Sequence, residues 1–176
     1  ILNINKVNAP KLLSNHYINN MIEISDLGEK SFYDYVISKK NKLNDYKSLL
    51  KLIIKVQKIK VKKSYNLGKF KVKFLKYTLN NLHKESDLFF DWYLKYYLKE
   101  KNISKIKRLL KKELNKVYKK LKFSNNTFVH RDFHVSNIML KKKKLGLIDN
   151  QDAIIGNPLY DVASLIDDVR IKLPDN

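Results

Sequence analysis

One stretch of the sequence decides the fold: Val129-His130-Arg131-Asp132-Phe133-His134-Val135-Ser136-Asn137-Ile138-Met139-Leu140, followed by Leu147-Ile148-Asp149. Short apolar runs predict three strands, over residues 127–129, 137–140 and 145–148. The last two strands would pair as a hairpin. Asp132 and Asn137 lie in the loop before this hairpin and Asp149 lies directly after it. We therefore expect the three side chains to converge on one pocket.

Two carboxylates and one amide at these spacings are suited to phosphoryl transfer from a magnesium nucleotide. Such a transfer requires little covalent chemistry from the protein, so catalysis depends on orienting the acceptor hydroxyl and neutralising phosphate charge. Asp132 is the candidate base for the hydroxyl proton. Asn137 and Asp149 offer Mg²⁺ the hard oxygen ligands that it prefers. The general kinase pattern, His-Arg-Asp with an Asn five residues after the Asp, is matched here.

The residues after Asp149 separate the kinase families. Protein kinases have Phe-Gly directly after this Asp. Here the sequence continues as Asn150-Gln151-Asp152-Ala153 and then as Gly156-Asn157-Pro158-Leu159-Tyr160-Asp161-Val162-Ala163. These segments resemble the aminoglycoside phosphotransferase family of small-molecule kinases, although Asn150 replaces the aromatic residue that usually follows the metal-binding Asp.

The resemblance implies an α+β, protein-kinase-like fold that uses ATP and Mg²⁺. The segment Met21-Ile22-Glu23-Ile24-Ser25-Asp26-Leu27-Gly28 is similar to the last N-lobe strand and the hinge of these enzymes. Residues 1–28 would then be the end of the N-lobe sheet with the hinge. Residues 29–176 would be a mostly helical C-lobe that holds the hairpin and is incomplete at its C-terminus. The backbone of Glu23, Ile24 and Ser25 would hold the adenine ring.

The resemblance makes residues 130–137 the expected catalytic loop, the name used for this segment below, and it implies supporting roles near the loop. His130 would brace the loop backbone, and Asp161 would hold the loop by hydrogen bonds. His134 would either brace the loop or contact the acceptor.

A further segment bears on the acceptor. Glu85-Ser86-Asp87-Leu88-Phe89-Phe90-Asp91-Trp92 resembles a Glu-x-x-Leu-Phe-x-x-Trp run in a bacterial branch related to the N-acetylmuramate/N-acetylglucosamine anomeric kinases. Glu85 and Trp92 become candidate acceptor contacts. The expected acceptor is then a small polar molecule, an amino sugar or cell-wall sugar.

Three alternatives stay open. A choline-, homoserine- or aminoglycoside-type acceptor is not distinguished from a sugar by the loop. A noncatalytic protein with the same scaffold would hold an anionic partner on lysine-rich helices, but the joint presence of Asp132, Asn137 and Asp149 counts against it. A zinc hydrolase would use His130, Asp132 and His134, but the other two histidines give no ligand spacing.

Two parts of a complete kinase are missing from the sequence. No two of the four glycines are close enough to form a phosphate-binding loop, and no strand lysine pairs with an acidic helix residue. The chain starts at Ile1 and ends at Asn176, where family members usually continue with more helices. We expect an internal fragment of a longer kinase that binds ATP poorly by itself and is inactive.

Composition narrows the remaining classes. A length of 176 residues with 44% hydrophobic content suggests one domain with a sizeable core. The absence of cysteine excludes disulfides and thiolate metal sites. No apolar run approaches the roughly 20 residues that span a bilayer, so no membrane partner is expected. A requirement for ATP makes the cytoplasm the expected location.

The net charge of +20 is concentrated in one region. Residues 39–122 contain 27 basic and six acidic residues, whereas residues 123–176 are neutral overall. Lysine accounts for 34 of the 37 basic residues, and arginine, the preferred reader of base edges, is almost absent. This pattern favours a solvated lysine surface over a specific nucleic-acid site. The oligomeric state is not predicted.

Apolar spacing predicts helices over residues 31–38, 42–61, 70–82, 86–100 and 103–121, and another from Pro158 onward. Asn157 would cap the last helix, and Ser86 would open the helix that carries most of the aromatic residues, which we expect to be core. The predicted buried face of the helix over 42–61 is Leu43, Tyr46, Leu50, Ile53 and Ile54, with Asn41 or Asn44 as its cap. The predicted face of the last helix is Leu159, Val162, Ile166 and Val169.

Overall fold

The computed structural model describes residues 1–67, 69–98, 103–121 and 124–173. It combines helices with small antiparallel sheets, which agrees with the predicted α+β class. The chain divides into two compact units. One contains residues 1–75 and 126–176, and the other contains residues 76–125. The predicted lobe boundary near residue 28 stays a prediction.

The helices are α1 (Phe32–Val36), α2 (Leu43–Gln57), α3 (Leu79–Leu88), α4 (Lys95–Tyr97), α5 (Ile103–Lys120) and α6 (Leu159–Ile166). A π-helical segment, Phe89–Leu94, joins α3 to α4, and short 3₁₀ turns occupy Asn3–Asn5, Tyr17–Asn19 and Val135–Asn137. The strands are β1 (Leu12–His16), β2 (Met21–Ile24), β3 (Tyr65–Leu67), β4 (Phe70–Val72), β5 (Thr127–Val129), β6 (Ile138–Lys141), β7 (Lys144–Leu147) and β8 (Ile154–Gly156).

The predicted hairpin is present as β6 and β7. Ile138 pairs with Leu147 at its base and Lys141 pairs with Lys144 at its tip. The two residues between the strands, 142 and 143, both have positive φ (50° and 62°), which gives the tight turn that suits a two-residue hairpin. Strand β5 is also where the sequence predicted it. It pairs with β8 rather than with the hairpin.

The core of the first unit surrounds the hairpin, and its members come from α1, α2, β5, the catalytic loop, the hairpin and α6. These buried residues include Phe32, Val36, Leu49, Ile53, Val56, Phe128, Phe133, Ile138, Leu147 and Leu165. Phe133 and Val135 anchor the catalytic loop directly in this core. The position of the loop is therefore fixed by apolar burial as well as by hydrogen bonds.

Helix α2 forms where predicted, but its buried face is rotated from the predicted one. The side chain of Asn41 accepts the Leu43 N–H, so Asn41 is the cap rather than Asn44. Leu43 and Ile54 are exposed. The face that the core covers is Leu49, Leu52, Ile53 and Val56. The helix has apolar residues on two sides at helical spacing, so periodicity alone did not select the buried side.

The prediction of a helix over residues 70–82 was wrong. Phe70–Val72 is strand β4, and the helix starts at Leu79. Thr78 begins it with a capping box in which its side chain accepts the Asn81 N–H and the Asn81 side chain accepts the Thr78 N–H. Ser86 lies inside this helix and bonds the His83 carbonyl, so the predicted start at Ser86 was also wrong.

Most of the aromatic side chains that follow are not core residues, contrary to expectation. Phe90 is buried, whereas Trp92 is 75% exposed and Tyr96 is also exposed. Tyr93 packs against Phe89 with ring centroids 5.1 Å apart. The rings thus cover each other along one helical stretch. Residues 99–100 of the predicted helix lie outside the described ranges.

Helix α5 confirms the predicted amphipathic helix, but none of its residues is buried. Its polar side carries a row of lysines. Among all helices in the described part of the chain, none is long and apolar enough to cross a membrane.

The buried face of α6 differs from the predicted one. Leu159, Ile166 and the following Val169 are exposed, and Asp161 and Leu165 are buried. Asn157 caps the helix as predicted by accepting the Leu159 N–H at 2.9 Å. The inward face carries a carboxylate, which a search for apolar periodicity cannot select.

Two neighbouring isoleucines on α2 test the packing. Ile53 is 1% exposed and Ile54 is 51% exposed. We expect Ile53→Ala to lower the free energy of unfolding by about 2–4 kcal/mol, because it leaves a cavity in the core. Ile54→Ala removes the same atoms from the same helix and should cost less than about 1 kcal/mol. Urea unfolding followed by circular dichroism measures both, and equal losses would contradict the observed rotation of α2.

Candidate active site

Three segments of the first unit surround the candidate site. The loop between β5 and β6 carries Asp132 and Asn137, the end of β7 leads to Asp149, and α6 lies behind the loop. Phe133 and Val135 alternate with Asp132 and His134, so the loop buries its apolar residues and presents its polar ones.

Asn137 connects the predicted trio. Its Nδ2 donates to the carbonyl oxygen of Asp132 at 3.0 Å and lies 3.4 Å from Oδ2 of Asp149. Because Nδ2 of Asn137 already donates a hydrogen bond within the loop, Oδ1 is the atom of this side chain that is able to bind a cation. The structure therefore brings the loop of Asp132, the amide of Asn137 and the carboxylate of Asp149 to one place.

Asp149 is held by both strands of the hairpin and by the loop. The neighbouring Ile148 donates its N–H to the Asn137 carbonyl at 3.0 Å, and its carbonyl lies 3.0 Å from Nε2 of His130. Asp149 itself has a φ of 61°. A non-glycine residue in this left-handed region costs about 1 kcal/mol, so the surrounding contacts must hold it there. Gln151 also donates to the Asp149 carboxylate.

Asp161 binds the start of the catalytic loop. Its carboxylate accepts the N–H of His130 at 2.9 Å and the N–H of Arg131 at 3.0 Å. Arg131 has a φ of 79°, a second left-handed residue. Burial raises the pKa of Asp161 to about 6, although the two N–H groups act in the opposite direction. The role of Asp161 in supporting catalysis through these hydrogen bonds stays a prediction.

His130 is fully buried, and burial lowers its pKa, so the imidazole is neutral near pH 7. A neutral ring that carries its proton on Nε2 donates to the Ile148 carbonyl. His130 thereby links the loop to Ile148, directly before Asp149, and its role as a brace stays a prediction.

His134 lies beside the amide of Asn137, with its Nε2 3.2 Å from Nδ2. Burial lowers the pKa of His134, and the positive charge of Arg170 lowers it further. The structure places this ring at the loop itself. Its contact with an acceptor stays a prediction.

Asp168 was not predicted from the sequence. This buried residue follows α6, and its carboxylate accepts the N–H of Val135 in the catalytic loop at 3.2 Å. Asp168 lies seven residues after Asp161, a spacing that would place both on one face of the predicted helix, although α6 ends at Ile166. That spacing was the available signal.

A cleft of about 360 Å³ lies next to the predicted hinge. Ile24 and Ser25 line it from one side, and Met139 and Ile148 of the hairpin line it from the other. Apolar side chains on opposite walls suit a flat ring. Glu23 is not among its lining residues, and its carboxylate instead accepts the hydroxyl of Ser14.

Hydrogen bonds within the predicted hinge limit which of its backbone groups are available to bind adenine. The Ser25 N–H donates to the Lys11 carbonyl at 2.8 Å, and the Gly28 N–H donates to the Asp26 carboxylate at 2.8 Å. In the described part of the chain the Leu27 N–H donates to no protein group. The hinge is fixed to the hairpin, since Lys141 pairs with Asp26 at 3.0 Å.

The two candidate acceptor contacts belong to the unit formed by residues 76–125. Glu85 accepts the hydroxyl of Tyr77 at 2.5 Å, and Trp92 exposes its ring from the π-helical segment. Their contact with an acceptor stays a prediction.

The site fits magnesium better than zinc. Across the described ranges, no three His, Cys, Asp or Glu side chains form a group able to hold a metal ion, which removes the basis for the zinc alternative. Asn137 and Asp149 supply only oxygen, and Mg²⁺ commonly takes one or two protein oxygens while phosphate and water complete its shell. The residues present therefore fit a magnesium nucleotide.

The lysine-rich surface of α5 is a separate feature. It lines a wide, shallow depression with Lys107, Lys111, Lys112 and Lys119 among its residues. Lys107 pairs with Asp91 and Lys111 pairs with Asp87. Part of the charge is thus neutralised within the same unit.

Comparison with known proteins identifies relatives. The model of the phosphotransferase enzyme family matches residues 3–176. The N-acetylmuramate/N-acetylglucosamine kinase of Pseudomonas aeruginosa is 28% identical over 169 residues, which are 96% of this chain and 47% of that protein. A protein of the same name from Neisseria meningitidis serogroup B is 26% identical over 166 residues, 94% of this chain and 48% of that protein. The chain spans about half the length of the curated relatives it matches.

Asp161 makes stability depend on pH. Its folded pKa of about 6 lies above the ordinary value of 3.8, so the folded state binds an extra proton between these two values. The stabilising contribution of the protonated group is complete below pH 4 and is lost as the pH rises through 6, a change of about 3 kcal/mol. Asp161→Asn cannot titrate. The free energy of unfolding of the unmodified protein, relative to this variant, should therefore fall between pH 4 and pH 7.

Urea unfolding at several pH values measures this difference, and Asp167→Asn, at an exposed neighbouring position, is the control. A difference that stays constant from pH 4 to pH 7 would show that Asp161 does not titrate in this range.

Proposed function

Because the chain belongs to the phosphotransferase enzyme family, we propose that it carries the catalytic loop of an ATP-dependent kinase that phosphorylates a hydroxyl of an amino sugar or cell-wall sugar. One observation supports the reaction above all others. The Asn137 amide is bonded to the Asp132 backbone and lies within 3.4 Å of the Asp149 carboxylate. This arrangement groups a base and two cation ligands on one short loop and one hairpin.

The proposed reaction assigns one role to each side chain. Asp132 accepts the proton of the acceptor hydroxyl as the hydroxyl oxygen bonds to the γ-phosphorus. The bond from the γ-phosphorus to its bridging oxygen breaks, and ADP leaves with that electron pair. Asn137 and Asp149 would hold Mg²⁺, which neutralises phosphate charge when bound. The loop needs no rearrangement during the reaction because Asp161 and His130 already hold its backbone.

The family implies a protein-kinase-like fold, and the lobe assignment follows as part of the proposal. Residues 1–28 would end the N-lobe and form the hinge, and residues 29–176 would belong to the C-lobe. The adenine ring would lie in the cleft between Ile24 and Met139. Because the Ser25 N–H is already bonded to Lys11, the proposed partners of adenine are the Ser25 carbonyl, which belongs to the predicted set, and the Leu27 N–H, which does not. A donor of this kind makes the cytoplasm the proposed location.

The proposed acceptor rests on the relatives and on a sequence segment. Both relatives are named as N-acetylmuramate/N-acetylglucosamine kinases. His134 at the loop, with Glu85 and Trp92, are the proposed acceptor contacts. An acceptor of the choline, homoserine or aminoglycoside type remains the alternative within the same reaction.

The role of Asp132 is tested by Asp132→Asn in the full-length natural protein. The amide keeps the size of the side chain but cannot accept the proton, so kcat should fall by about 10² to 10⁴. The dissociation constant of ADP should change by less than about twofold, since Asp132 does not line the cleft at the hinge. Steady-state kinetics and calorimetric titration measure the two quantities. An unchanged kcat would exclude Asp132 as the base.

The acceptor class is tested with radiolabelled ATP and a panel of hydroxyl compounds. We expect labelled product with N-acetylmuramate or N-acetylglucosamine and none with choline, homoserine or an aminoglycoside at equal concentration. The Asp132→Asn variant is the control for nonenzymatic transfer. Label transferred to choline or an aminoglycoside alone would replace the sugar in this proposal and would keep the kinase.

A further inference from the structure

The carboxylate of Asp168 binds two separate parts of the chain. One oxygen accepts the N–H of Val135 at 3.2 Å. The other accepts the backbone N–H of Arg170 at 3.1 Å and its guanidinium at 3.0 Å. The Asp168 side chain has no exposed surface, whereas the Arg170 side chain is 43% exposed. The pair therefore joins a buried carboxylate to a cation that reaches solvent.

The Val135 N–H is the first donor of the 3₁₀ turn formed by Val135–Asn137. The residue before this turn, His134, makes no side-chain cap. The first N–H groups of such a turn have no partner within it, so they require an outside acceptor when buried. Asp168 supplies that acceptor from a position 33 residues further along the chain.

The same turn sets the direction of the Asn137 side chain. The Asn137 N–H donates to the His134 carbonyl at 2.9 Å, which closes the turn. Its side-chain nitrogen then meets the Asp132 carbonyl. A shift of Val135 would therefore move both the backbone and the side chain of Asn137.

A neutral side chain could not replace the Asp168 carboxylate. All three of its partners are N–H donors, and an asparagine amide would point a fourth N–H at one of them. The charge on Arg170 compensates the cost of burying the carboxylate. Burial acts to raise the pKa of Asp168, but the N–H groups of Arg170 and Val135 outweigh it and hold the pKa below the ordinary value.

We propose that Asp168, paired with Arg170, is a positioning residue that holds the Val135–Asn137 turn so that the Asn137 amide oxygen faces the metal. This inference rests on the proposed function, because it gives Asn137 a metal to bind. Two carboxylates, Asp161 within α6 and Asp168 just beyond its end, then hold the two ends of the catalytic loop. Asp161 fixes His130 and Arg131, and Asp168 fixes Val135.

The adjacent aspartates give a matched pair of variants for the first test. Asp168→Asn removes the buried acceptor, whereas Asp167→Asn removes an exposed carboxylate one residue away. Hydrogen exchange of the full-length natural protein, resolved to single amides by NMR, reports on the Val135 N–H. We expect exchange at Val135 to be at least about tenfold faster in Asp168→Asn and unchanged in Asp167→Asn, because an unsatisfied buried N–H opens more readily.

The second test measures metal binding without turnover. Mn²⁺ replaces Mg²⁺, and electron paramagnetic resonance gives its dissociation constant in the presence of ADP. Loss of a residue that orients a metal ligand commonly weakens binding 10- to 100-fold, and we expect about tenfold for Asp168→Asn. Arg170→Gln should give a smaller loss and Arg170→Lys a smaller one still. If Asp168 only stabilises the fold, Asp168→Asn will lower the fraction of protein that binds Mn²⁺ and leave the dissociation constant of Mn²⁺ unchanged. That result would overturn the positioning role.

The outcomes separate this inference from the proposed function. Exchange at Val135 and Mn²⁺ affinity that are the same in Asp168→Asn and Asp167→Asn would overturn the positioning role. If Asp168→Asn does not fold, Arg170→Gln decides by the same two measurements. Weaker Mn²⁺ binding in a protein that phosphorylates no acceptor would keep the positioning role and refute the proposed reaction.

Discussion

The buried carboxylate of Asp161 is the contact on which the rest of the site depends. It accepts two successive N–H groups, those of His130 and Arg131, at the point where the chain leaves β5. Arg131 has a left-handed φ there, which a side chain other than glycine adopts only when its surroundings require it. The two hydrogen bonds meet that requirement. The turn they impose directs Asp132 away from the core while Phe133 enters it.

The hairpin of β6 and β7 serves both parts of the site. Asn137 precedes its first strand and Asp149 follows its second, so strand pairing between Ile138 and Leu147 brings the two ligands together. The outer part of the same hairpin contacts the segment that follows the predicted hinge, where the Leu140 N–H donates to the Lys30 carbonyl at 2.8 Å. One element thus sets the separation between the cleft proposed for adenine and the proposed metal ligands, which transfer from a nucleotide would require.

The sequence predicted best what is decided locally. The hairpin needs only two alternating strands and a polar turn, and the loop needs only its own spacing, so both appear where expected. Buried faces were predicted poorly, because they depend on what packs against each helix. Helix α2 has apolar residues on two sides, and packing selects the one with Leu49 and Val56.

Helix α6 shows a different limit of sequence reasoning. Its inward side combines Leu165 with Asp161, and the buried Asp168 follows its last turn, so apolar periodicity pointed to the opposite side. The aspartates are inside because the catalytic loop offers them N–H groups. Aspartate normally lies in water, and it is buried here because N–H groups of another segment require an acceptor. The sequence of the helix alone does not show that requirement.

The charge distribution bears on the metal site. The chain has a net charge of +20, yet neither Asp132 nor Asp149 forms an ion pair with any residue in the described ranges. Arg170, whose charge acts on His134 in the loop, is itself bound by Asp168. The carboxylate of Asp149 lies beside the Asn137 amide and has no cationic partner in the described ranges, so a bound metal ion would not have to displace an ion pair there. The excess of lysine lies elsewhere on the chain, between residues 39 and 122, and does not neutralise the proposed metal ligand.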